Sequence, residues 1–165
     1  PKGRRTMDRV ALEILGRELE ADAAILADAV RKAADRLAAA WPGHLEACAF
    51  ELHRLCNVIE KSLERICIGF ENHFEKRGDH HGRLLDRMVL ELPGIRPRFL
   101  TEPDRNLLRE LKAFRHLFRH AYDLTLQPKK VIPLVAAASQ AAHGFPLWTT
   151  RFLEVCRAGL TTEED

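Results

Sequence analysis

From Met7 to about Ala40 the chain has no proline, and its large apolar residues return at helical spacing. Leu15, Leu19, Leu26, Val30, Leu37 and Trp41 recur at intervals of three, four or seven residues. At 3.6 residues per turn such positions fall on one stripe, so the segment predicts a single long amphipathic helix that must bury that stripe against partners. Trp41-Pro42-Gly43 supplies the stop.

The same period continues downstream. Leu52, Leu55, Ile59, Leu63, Ile66, Phe70 and Phe74 mark a second helix from about Leu45 to Lys76, with Gly78 as its stop signal. The short link between the two predicts an antiparallel hairpin. A short helix is expected over Arg83–Leu90, before Pro93-Gly94 and Pro97 break the chain. Thr101-Glu102-Pro103-Asp104 reads as a helix start: Thr101 can cap, Asp104 falls three residues later, and proline within a first turn loses no helical hydrogen bond. The helix so opened carries Leu107, Leu108, Leu111, Phe114, Leu117, Phe118 and Ala121, and fades near Gln127-Pro128. A last helical segment spans Lys129 to about Arg157, with a kink or break expected at Gly144-Phe145-Pro146. No strand-period alternation, repeat or low-complexity tract is present. The fold class is all-α, a bundle of four long helices plus a short connecting one, in a single domain over 1–165 with flexible ends at about 1–6 and 159–165.

At 165 residues and 46% hydrophobic content, one core can form without disulfides or structural metals. No apolar run approaches a membrane span and no signal segment follows the basic start, so a cytoplasmic protein is expected. Cys48, Cys56, Cys67 and Cys156 form no C-x-x-C pair, and burial as small hydrophobes is the reading they support. The net charge is only +2, but it is unevenly spread. Lys76 to Lys130 holds 13 Lys or Arg against 7 Asp or Glu, which is +6, leaving −4 for the remainder. Such a bias suits a phosphate-bearing partner, although a solvated helix face could also carry it.

The basic segment contains the chemistry. Arg115-His116-Leu117-Phe118-Arg119-His120-Ala121-Tyr122 puts two arginines, two histidines and a tyrosine on about two helical turns. On a wheel, Arg115 sits at the edge of the apolar stripe with Tyr122 nearly above it, while Arg119, His116 and His120 fan outward. Five residues at about 100° each separate Arg115 from His120 by about 140°. A shared pocket therefore needs the arginine to swing, the helix to distort, or a second subunit to contribute. The plain alternative is a solvated face that happens to hold histidines. A His116/His120 metal pair at i, i+4 spacing is a third reading, but Glu110 and Asp123 are poorly placed to complete it, and no metal is expected. His80-His81 read as surface turn residues, with His81 kept as a possible RNA contact. His53 and His73 take structural or surface roles.

Histidine moves protons near neutrality, and arginine offers a permanent planar charge that can hold two phosphate oxygens. RNA is cleaved when its 2′-hydroxyl attacks the adjacent phosphorus. That needs a base, an acid for the departing 5′-oxygen, and positive charge on the pentacoordinate intermediate. His120 suits the proton transfer and Arg115 the phosphate, with His116 as support or second proton carrier and Arg119 and Lys112 as further RNA contacts. No cofactor is required.

The R-x-x-x-x-H-x-Y pattern of Arg115, His120 and Tyr122 resembles the signature of the HepT-like ribonuclease toxins of the HEPN superfamily. The stretch Leu108–Tyr122 is similar to that family's motif helix. Gly78-Asp79-His80-His81-Gly82-Arg83-Leu84-Leu85 and Pro93-Gly94-Ile95-Arg96-Pro97 resemble the connector of one branch. The resemblance implies a HEPN-type bundle and a metal-independent RNA endonuclease acting as the toxin of a type II-like HEPN/MNT pair. It also implies a homodimer whose motif helices meet in a composite cleft, with transfer RNA or messenger RNA as substrate. A minimal nucleotidyltransferase antitoxin is the implied partner, with Tyr122 as its target for AMP transfer. One departure is His116, where a small polar residue commonly follows the motif arginine. The alternative is a non-catalytic helical module that binds a nucleotidyltransferase.

Overall fold

The apolar stripe of the first third becomes α1, Arg9–Ala38, opened by Asp8, whose carboxylate accepts the Ala11 N–H at 2.8 Å. A computed structural model describes residues 7–71, 80–120 and 126–161, with the side chains of 80–81, 116–120 and 161 outside the description. After α1 come α2 (His44–Glu71), α3 (His80–Met88), α4 (Glu102–His120) and α5 (Pro128–Thr161). Among the described residues there is no strand, only an isolated antiparallel bridge between Leu92 and Arg96. The architecture is the all-α bundle of four long helices and one short one.

α1 packs along α2 and α5, α4 against α5 and α2, and α3 against α2 and α4. Leu15, Leu19 and Leu26 of α1 and Leu52, Leu55, Ile59, Leu63 and Ile66 of α2 are all buried, as their spacing predicts. Each such side chain contributes about 1.5–3 kcal/mol of burial. Val30, Leu37 and Phe70 are partly buried against this core; Phe74 and Gly78 lie outside the described residues. Trp41 departs from the stripe and is exposed. α1 ends at Ala38, Ala39 turns to extended backbone, and its N–H bonds the Arg36 carbonyl, so Trp41 falls in the turn rather than on the helix face. Gly43 completes that turn at φ +85°, a conformation that favours glycine.

Polar groups also fix the α1–α2 register. Asp22 is buried, accepts the Ser62 hydroxyl at 2.7 Å and pairs with Arg65 of α2. A carboxylate in the helix interface is tolerated because it is paired and hydrogen-bonded.

Two helices differ from expectation in their bounds. α3 begins at His80, so His80 and His81 lie in its first turn rather than in a surface turn. Its C-terminal carbonyl, Met88 O, accepts the N–H groups of Phe99 and Leu100 at 2.9 and 3.0 Å, and this capping stops it before Leu90. α5 runs unbroken through Pro133 and Pro146 to Thr161, past the expected end near Arg157. A helical proline forfeits one hydrogen bond. The compensation is visible: Phe145, Trp148 and Phe152 surround the fully buried Phe99 in edge-on contacts, with ring centroids 6.1, 6.5 and 5.4 Å away.

Candidate functional site

α4 opens as its sequence predicts. Thr101 donates its backbone N–H to the Asp104 carboxylate at 3.1 Å, and Asp104 N–H returns to the Thr101 hydroxyl at 3.4 Å. This reciprocal cap satisfies orphan donors and fixes the entry of the chain. Leu108, Leu111 and Phe114 are buried, and the helix continues through His120. Arg115, His116, Arg119 and His120 therefore occupy one uninterrupted helix. The side chains of His116, Arg119 and His120 lie outside the description, as does that of His81, and Tyr122 lies outside the described residues.

Arg115 points at α2, where its Nη1 pairs with the Glu60 carboxylate. Only 14% of the arginine side chain and 15% of the glutamate's are exposed. Arg115 Nε is buried with no hydrogen-bond partner, and among the described residues no hydrogen bond engages Nη2. The pair edges a small cavity of about 40 Å³ where three helices meet. Cys56, Ile59 and Leu63 come from α2, Leu84 and Leu85 from α3, and Leu108 and Lys112 from α4. Cys56 Sγ donates to the Leu111 carbonyl at 3.7 Å, tying α2 to the turn of α4 that precedes Arg115. Burial pushes the Cys56 thiol up to about 12, opposed by the nearby Arg115 charge, so it is no thiolate nucleophile.

The rest of the basic segment is less open than its net charge suggests. Arg109 bonds Asp86 of α3 at 2.5 Å, and Arg105 pairs with Glu102 and lies 3.6 Å from Asp86. Arg96 is a core residue. Its buried guanidinium holds Glu71, the last residue of α2, and donates to the carbonyls of Leu90, Pro97 and Arg87. Arg87 completes the knot on Glu71. Much of the charge read as a docking surface is thus neutralised by partners distant in sequence. A larger cavity of about 220 Å³ lies at this connector and the C-terminal half of α5, away from Arg115.

Cys48, Cys56 and Cys67 are free and buried, and Cys156 is half-buried, which bears out their reading as small hydrophobes. No group of three or more His, Cys, Asp or Glu suited to a metal ion occurs among the described residues. No helix of the described residues is long and apolar enough to cross a membrane.

The family model described as HepT-like protein matches residues 47–156. That span takes in nearly all of α2, then α3 and α4 with the whole Arg115–Tyr122 stretch, and most of α5. The chain belongs to the HepT-like family. It is therefore an all-α, HEPN-type protein of a toxin-related family. Comparison with curated proteins and with solved structures gives no match.

Sequence reasoning found the motif helix and its cap but missed Glu60, Glu71 and Arg96. Glu60 had a faint signal, an acid directly after the stripe residue Ile59 and three before Leu63. Its partner lies 55 residues away, beyond the reach of any local pattern.

Proposed function

We propose that this HepT-like protein is a metal-independent RNA endonuclease, the toxin of a HEPN/MNT pair. The observation that carries the reading is that the family match encloses the complete R-x-x-x-x-H-x-Y stretch, with Arg115 held at the α2–α4 seam. Arg115 offers positive charge to the scissile phosphate, and His120 moves the proton of the attacking 2′-hydroxyl or of the leaving 5′-oxygen. His116 supports this transfer, and Lys112, Arg119 and His81 contact the RNA. The products are a 2′,3′-cyclic phosphate and a 5′-hydroxyl.

Positions 115 and 120 lie about 140° apart around α4, so one copy does not bring both to the same side. A homodimer pairing two α4 helices supplies the missing half of each cleft. AMP transferred to Tyr122 by a minimal nucleotidyltransferase would place a bulky anion beside the site and block RNA. Transfer RNA and messenger RNA are the candidate substrates.

The Arg115–Glu60 pair favours a second reading, a non-catalytic module that binds a nucleotidyltransferase, because it leaves the arginine formally neutralised. Purified protein incubated with total RNA and a chelator separates the two. The nuclease reading expects cleavage ending in cyclic phosphate, reduced at least about 100-fold in Arg115→Ala and His120→Ala. A folded, dimeric parent protein that leaves RNA intact rejects it in favour of the module.

A further inference from the structure

We propose that Glu60 is a positioning residue for this site, gripping Nη1 of Arg115 so that Nη2 is the donor presented to a phosphate oxygen. The proposal rests on the nuclease reading and adds a residue from a different helix to it. The guanidinium has three nitrogens, and the structure accounts for each. Nη1 is taken by Glu60, Nε is buried without an acceptor, and Nη2 has no hydrogen bond among the described residues. A free arginine samples many rotamers, whereas one anchored by a carboxylate has a single donor edge left to offer.

The anchor stands on a packed stretch of helix. Glu60 stands on α2 between the buried Ile59 and Leu63, and one turn earlier Cys56 bonds the Leu111 carbonyl of α4. The two helices that carry the pair are therefore fastened beside it. Outer residues that orient a functional group typically contribute 10–100-fold, and displacement by about 1 Å can lower a rate about 100-fold.

Two other roles for Glu60 make opposite predictions. If it competed with phosphate for Arg115, its removal would raise activity. If it only stabilised the bundle, its removal would lower activity by the same factor whether or not Arg115 were present.

The test is a cycle of Glu60→Ala, Glu60→Gln, Arg115→Ala and the Glu60→Ala/Arg115→Ala double variant, with kcat and KM measured on a single-stranded RNA oligonucleotide. The expected result is a fall in kcat of about 10–100-fold for Glu60→Ala. A smaller fall is expected for Glu60→Gln, which keeps an oxygen acceptor, and no further fall when Glu60→Ala is added to Arg115→Ala. A Glu60→Ala rate at or above the parent's overturns the proposal, as does an equal loss in both backgrounds. Should Glu60→Ala fail to fold, Glu60→Gln carries the comparison. Side-chain ¹⁵N NMR of Arg115 reads the grip without any activity: slowed rotation about Cζ–Nε in the parent should be lost in the Glu60 variants. If the parent cleaves no RNA, the nuclease reading fails. If instead Arg115 rotates equally fast in parent and variants, the positioning role fails and the nuclease reading stands.

Discussion

Replacing Arg96 with methionine should destabilise the bundle by about 4 kcal/mol, a large part of the roughly 5–15 kcal/mol that holds a domain together. Methionine keeps an apolar stem of similar length, so the substitution removes chemistry rather than much volume. The Arg96 side chain is fully inaccessible. Its Nε and Nη2 reach Glu71 at 2.8 and 2.7 Å, while Nη1 supplies the Leu90 and Pro97 carbonyls at 3.1 and 3.2 Å. Breaking one partner out of a buried ion pair costs about 3–5 kcal/mol, and each carbonyl left without a donor costs about 1 kcal/mol or more. Arg87 remains on Glu71 and cuts the loss of the pair to about 2 kcal/mol, which with about 2 kcal/mol for the two carbonyls brings the sum to about 4 kcal/mol. Burial pulls the Arg96 pKa below its ordinary value, yet the group stays charged at neutral pH because arginine begins so high. With a urea slope of about 2 kcal/mol/M, the unfolding midpoint should drop by about 2 M. Arg87→Ala is the control: it serves the same carboxylate but is 37% exposed, and should cost about 1 kcal/mol or less. A midpoint shift below about 0.5 M for Arg96→Met, or an equal shift for Arg87→Ala, would refute the claim that burial of this guanidinium locks α2 to the connector.

The thiols should resist alkylation at pH 8 in the folded protein, since burial raises Cys48 to about 11 and both Cys56 and Cys156 to about 12; all four should react after denaturation. Rapid iodoacetamide labelling of Cys56 in the native protein contradicts its placement under α4. Asp28 lies well below the usual carboxylate range because Lys32, Arg54 and Arg31 all bond it, and Arg157 lowers Glu13 in the same direction. A depressed folded-state pKa gives stability that is complete above the unfolded value, 3.8 for Asp28, and is lost as pH falls below it. Melting temperature against pH should therefore show a shallower acid limb in Asp28→Asn than in the parent, and parallel limbs would dismiss the contribution.

The helices were legible because their causes are local. The Leu15–Leu19–Leu26 and Leu52–Leu63 stripes specify buried faces through spacing alone, and Thr101 and Asp104 write the start of α4 within four residues. The failures have tertiary causes. Gly144-Phe145-Pro146 signals a kink or a break, and the helix does not break there: Pro146 lies between Phe145 and Trp148, whose packing on Phe99 holds the helix together. Trp41 fits the period of α1 and misses its face because the backbone turns at Ala39 first.

The candidate site divides along the same line. Arg115 and the His-rich turn after it were readable, since motif spacing and helical period are both short-range patterns. The charge environment of Arg115 was not. Net charge over Lys76–Lys130 counts every cation as available, whereas Arg87 and Arg96 answer to Glu71, Arg105 and Arg109 to Asp86, and Arg115 to Glu60. Two of those three acids belong to α2, a helix outside the segment whose charge was summed. A basic stretch in a helical bundle is thus partly a record of how its helices dock. The degree of docking differs even among these arginines: Arg96 has all three guanidinium nitrogens engaged, whereas Arg115 is held through Nη1 and, among the described residues, has no hydrogen bond to Nη2.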